Sequence, residues 1–208
     1  LPSGTPGVLA AQRAWTEAVP VMAHLAPLLD GEPGKPVAVE TEVGGWRLNA
    51  VLENVGPKGQ VLWSVDALSP WVMLRAWCAH LLLNTDPGAP SHHTHLVDVE
   101  GVVSFLPEED AVSTLHELVG LYREGLCRPL PFFPRSAWAY VSAAKTPLAN
   151  AYRTWAGSEH ASAVGESADP FFALAFRDRL DTVLDSEFES LASQVFGTPA
   201  QRVQEARG

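Results

Sequence analysis

Two runs of alternating residues constrain this chain more than any other feature. Val37 to Val43 reads Val, Ala, Val, Glu, Thr, Glu, Val, and after Gly44 and Gly45 a second alternating run extends from Trp46 to Val55. Side chains that alternate with a period of two sit on opposite faces of a half-buried strand, so both runs predict strands. Gly56, Pro57, Lys58 and Gly59 form a strong turn signal, and Gln60 to Val65 reads as a third strand. The three together predict an antiparallel meander, whose apolar face needs a cover.

Two helices are positioned to supply that cover. Before the strands, Leu9, Trp15, Val19, Met22, Leu25 and Leu29 fall at helical spacing within Val8–Leu29, and Pro20 is expected to kink or split the helix. After them, Ser69 can cap the open amides of a helix whose first turn suits Pro70. Trp71 to Leu83 is apolar nearly all round, which predicts a buried helix. A Pro/Gly loop at Asp86–Pro90 then leads to one or two strands between His95 and Phe105, around Gly101, and helix resumes from Glu108 to Glu124. Beyond Gly125, Pro129, Pro131 and Pro134 forbid a continuous helix, and shorter helices are expected at Ser136–Ala144, Leu148–Ala156, Pro170–Arg177 and Glu187–Phe196. The order predicts an α/β architecture with a mixed sheet and a helical C-terminal tail.

With 208 residues, 47% of them hydrophobic and only 18% charged, the chain has the makings of one well-buried domain and no second independent core. We expect a disordered start at 1–7, a folded domain at 8–197 and a flexible tail at 198–208. The absence of an initial Met suggests a processed or excised start. The net charge of −10 opposes binding of a phosphate backbone by the chain alone. Low charge content also leaves apolar surface for a partner. Cys78 and Cys127 suggest neither a disulfide framework nor a thiolate zinc site, which fits a reducing cytoplasm. No run approaches the roughly 18 to 20 apolar residues that span a bilayer, and the start lacks the pattern of an export signal. We therefore expect a cytoplasmic protein with no membrane contact.

A helix, an antiparallel hairpin leading to a third strand, and then a buried helix is the core order of the PD-(D/E)XK nuclease fold. Such nucleases carry an Asp on the second strand, an acid and a Lys two apart on the third, and often a Gln and a Tyr on the next helix. The two carboxylates hold Mg²⁺, which activates water, and the Lys supports the nucleophile or the developing charge. On this pattern Glu53 stands in for the first Asp, Ser64 occupies the acid position and Asp66 the Lys position. Met73 replaces the Gln and Trp77 the Tyr. Losing one carboxylate weakens the metal site, and Asp66 places negative charge where negative charge would develop. The pattern predicts the fold without catalysis and without a cofactor.

Three blocks, in order, resemble the C-terminal region of the RecC family, the gamma subunits of exodeoxyribonuclease V. They are Trp71–Leu83 with its Leu-Arg-Ala-Trp core, Leu121–Gly125 followed by Pro129–Pro134 and Ser136–Trp138, and Gly165–Pro170 with Ala175–Arg177. The resemblance covers residues 36–197. It implies a nuclease-like domain that lacks the active-site acids and Lys, and that works inside a RecBCD-type helicase–nuclease in DNA double-strand-break repair and recombination. There it would pack against RecB-like and RecD-like subunits and guide the separated DNA strands. The helicase-like parts that read the Chi sequence lie outside the resemblance.

Two readings from other classes stand beside this one. Glu53 and Asp66 could form a rearranged site of an active metal-dependent DNA nuclease. Alternatively His92, His93 and His95, with Asp98 and Glu100 nearby, could make a zinc-binding interaction module, although a solvated loop is the simpler account. Lys58, between glycines at a turn, is the best local candidate for touching DNA. Trp46, Trp63 and Trp77 could stack on bases, yet their strand and helix positions favour core packing. Arg123 and Glu124 before Gly125 read as a helix end with a capping glycine, and the Pro-Phe-Phe-Pro stretch as a plug at a core edge.

Overall fold

A computed structural model describes residues 4–29, 34–158 and 163–207. The alternating runs form β1 (Lys35–Val43) and β2 (Trp46–Gly56), which pair antiparallel with Val39 opposite Ala50 and Val43 opposite Trp46. β3 (Gly59–Trp63) pairs antiparallel with β2, so the expected meander is present. After α2 (Pro70–Asn84), β4 (Thr94–Asp98) returns parallel to β3, and β5 (Gly101–Phe105) closes an antiparallel hairpin. The result is a five-stranded mixed sheet in the order β1-β2-β3-β4-β5.

The helix before the sheet, α1 (Thr5–Leu29), begins earlier than Val8 and is not split at Pro20. Leu1–Ser3 of the expected disordered start lie outside the described residues. The second half of α1 is anchored through Val21 and Leu25, which pack with Val61 and Val97. Leu9, Trp15, Val19 and Met22 are exposed, because helical spacing marks an apolar stripe without saying what covers it. On the other face of the sheet, Leu83 of α2 packs with Val39, Leu52 and Val55. Leu52 and Val55 share a face although three residues apart, since Asn54 adopts a left-handed conformation (φ 57°) beside a register shift between Lys35 and Val37. Gly59 is also left-handed (φ 124°), and a Cβ there would lie 2.4 Å from the His93 carbonyl oxygen.

The remaining elements are helical: α3 (Ala111–Cys127), α4 (Pro134–Val141), α5 (Pro147–Ala156), α6 (Pro170–Ala175) and α7 (Ser186–Arg207), with a two-stranded ribbon of β6 (Gly157–Ser158) and β7 (Ala163–Val164). α7 continues through the segment expected as a flexible tail. Pro199 lacks one backbone donor, but Pro199 and Ala200 are buried, and that burial outweighs the lost bond. α3 runs past Gly125 to Cys127, so this glycine is inside the helix and does not cap it.

Where one core was expected, the chain divides into two compact units. The first holds residues 1–68 and 76–112, with α1 and the sheet; the second holds 69–75 and 113–208. The second unit has its own aromatic core. Phe133, at the centre of the Pro-Phe-Phe-Pro stretch, is fully buried, with its ring 4.2 Å from that of Trp155, 5.0 Å from Phe172 and 5.3 Å from Phe176. The stretch is thus the middle of a core and not a plug at its edge.

Candidate functional site

The carboxyl ends of the parallel strands β3 and β4 are where side chains can converge on a ligand in such a sheet. Ser64 continues the ladder beyond β3, its amide donating to the Val97 carbonyl at 2.9 Å. Its hydroxyl accepts from the Asp66 amide at 3.2 Å, closing a local turn. Ser64 and Asp66 are therefore brought together, but by a serine turn, and the Asp66 side chain is exposed.

Glu53 is placed differently. It is exposed on β2 next to Leu52, which packs with Leu83 of α2, so alternation puts Glu53 on the sheet face away from that helix. Gln60 and Thr94 are register partners, and Thr94 bonds His80 of α2, so Gln60, Leu62 and Ser64 follow on the helix face. Glu53 and Ser64 thus do not face one another. The Glu53 carbonyl accepts from Gln60 Nε2 of β3 at 3.3 Å.

Asp98, which the sequence places only beside the histidine cluster, is buried at this end and follows Val97, whose carbonyl accepts from the Ser64 amide. Its Oδ1 accepts from the Glu100 and Gly101 amides at 2.9 and 3.0 Å, and its Oδ2 from the Leu68 amide at 3.3 Å. A carboxylate holding three main-chain donors is organising a turn and the entry to α2. The signal was available in the sequence, since Asp two and three residues before a turn is a common cap. Ser64 is neutral, Glu53 lies on the other face of the sheet and both Asp98 oxygens accept from amides.

The helix positions are equally apolar in use. Met73 and Trp77 are buried. Trp77 stacks on His80 at 5.4 Å and meets Phe105 edge-on at 5.3 Å. Of the three tryptophans expected in the core, only Trp77 is there. Trp46 and Trp63 are exposed, at 39% and 50%, because a strand has two faces and theirs are not fully covered.

Lys58 is engaged within the fold. Its Nζ donates to the Pro27 carbonyl at 2.7 Å, where α1 has carbonyls left without helical partners. The Lys58 carbonyl in turn faces His95 Nε2 at 3.0 Å. A carbonyl can only accept, so Nε2 carries the proton and Nδ1 accepts from Ser104 Oγ at 2.8 Å. Burial, more than the nearby His93 and Lys58, pushes the His95 pKa below the ordinary histidine value. His92 Nε2 donates to the Asp86 carbonyl at 2.8 Å, and His93 Nδ1 pairs with Ser91 Oγ at 3.2 Å. Among the described residues no group of three or more His, Cys, Asp or Glu side chains is placed to hold a metal ion. A cleft of about 600 Å³ beside Leu28, Lys35, Asn54, Pro57 and Pro90 has no acid, histidine or thiol among its described lining residues.

In the second unit, Glu166 performs a related task over a longer distance. Its carboxylate accepts from the amides of Arg135 and Ser136 at 3.0 and 2.7 Å and from Ser136 Oγ at 2.8 Å. These are the open donors at the start of α4, whose own N-cap residue Phe133 cannot satisfy them. Gly165 is required beside it, because a Cβ would lie 2.4 Å from the Trp155 carbonyl oxygen. Two blocks that were separate in sequence, Phe133–Trp138 and Gly165–Pro170, are one structural joint.

The fold is α/β, with a five-stranded mixed sheet flanked by helices and a C-terminal helix, and it fits a nuclease-like fold. Within that class, a model of the RecC C-terminal domain family matches residues 1–145, and the chain belongs to that family. The RecBCD enzyme subunit RecC of Escherichia coli (strain K12) is 28% identical over 111 residues, which are 53% of this chain and 10% of that protein. The matched segment thus spans about a tenth of that relative's length.

Proposed function

We propose that this domain is a non-catalytic, nuclease-like module of a RecBCD-type helicase–nuclease that processes broken DNA ends in repair and recombination. In this role it holds RecB-like and RecD-like subunits together and helps guide the DNA strands, in the cytoplasm and without a metal or cofactor of its own. What supports the reading is the end of β3 and β4: Ser64, which the nuclease pattern aligns with the acid position, accepts from the Asp66 amide, and Asp98 is already bonded to three amides. The net charge of −10 argues that DNA contact is a property of the assembly and not of this chain alone. Family membership and the partial match to a RecBCD subunit support the assembly itself.

Incubating the purified chain with linear double-stranded DNA and Mg²⁺ or Mn²⁺ tests the silent site. No cleavage is expected. Cleavage that disappears in Glu53→Ala would overturn the proposal in favour of an active nuclease. Co-expression with RecB-like and RecD-like subunits tests the assembly role: the chain is expected to co-purify with them, and elution as a separate species would remove that part of the reading.

A further inference from the structure

We draw no further inference here: the strongest candidate, the exposed apolar stripe of α1 formed by Val8, Leu9, Trp15, Val19 and Met22, is an unpartnered helix face, and nothing in the structure shows what covers it.

Discussion

Asp98 in the sheet unit and Glu166 in the helical unit are both buried carboxylates, and both hold three donors, yet they organise their surroundings over different ranges. Two of the three donors to Asp98 come from its own turn, two and three residues away, and the third from Leu68. The described donors to Glu166 are the Arg135 and Ser136 amides and the Ser136 hydroxyl, about thirty residues earlier, at the start of a helix. A buried acid in a nuclease-like fold is therefore not by itself a remnant of chemistry. What decides its role is whether its oxygens are spent on the main chain.

That contrast orders the expected effects of mutation, with the aromatic core setting the upper bound. Phe133→Ala removes the ring around which Trp155, Phe172 and Phe176 pack, and truncation of a buried Phe costs about 3–5 kcal/mol. Urea denaturation is expected to register the largest loss there. Glu166→Ala comes next, at about 2–3 kcal/mol, because it strips partners from the buried amide and hydroxyl of Ser136 and from the part-buried Arg135 amide at the start of α4. Asp98→Ala should cost less, about 1–2 kcal/mol, since Glu100 and its turn are exposed and water can replace part of what is lost. If Asp98→Ala proved the more damaging of the two, the distinction between a local and a long-range carboxylate would fail.

The same contrast explains what could be read from the sequence. The sheet was legible because a period of two leaves a local mark, as do Gly56–Gly59 and the Ser69–Pro70 helix start. Ser64 could be placed at the end of the third strand for the same reason, and it follows directly on β3. Lys58 looked like a free cation because its acceptor, the Pro27 carbonyl, lies 31 residues away. Glu166 gave no local signal for its role, since the helix it caps begins at Pro134. Trp46 and Trp63 were misassigned to the core because alternation identifies two faces but not which one is covered. Gly197 and Pro199 stopped the reading of α7 early, for only the three-dimensional structure supplies the burial that carries a helix through them.

The smallest expected effect concerns His95, which joins β4, β5 and the turn before β3. Its neutral form donates from Nε2 to Lys58 and accepts at Nδ1 from Ser104, and burial lowers its folded pKa below the value of about 6.5 that the unfolded chain retains. The unfolded state then takes up the proton first. The stabilising contribution is fully present above about pH 6.5 and is lost as pH falls through the lower folded pKa. His95→Gln can preserve a donor and an acceptor but cannot titrate. Its urea midpoint is expected to fall less than that of the unaltered protein between pH 7.5 and pH 5. Equal falls would show that His95 shares the local, solvent-compensated character assigned to Asp98 and contributes nothing to the pH response of the sheet unit.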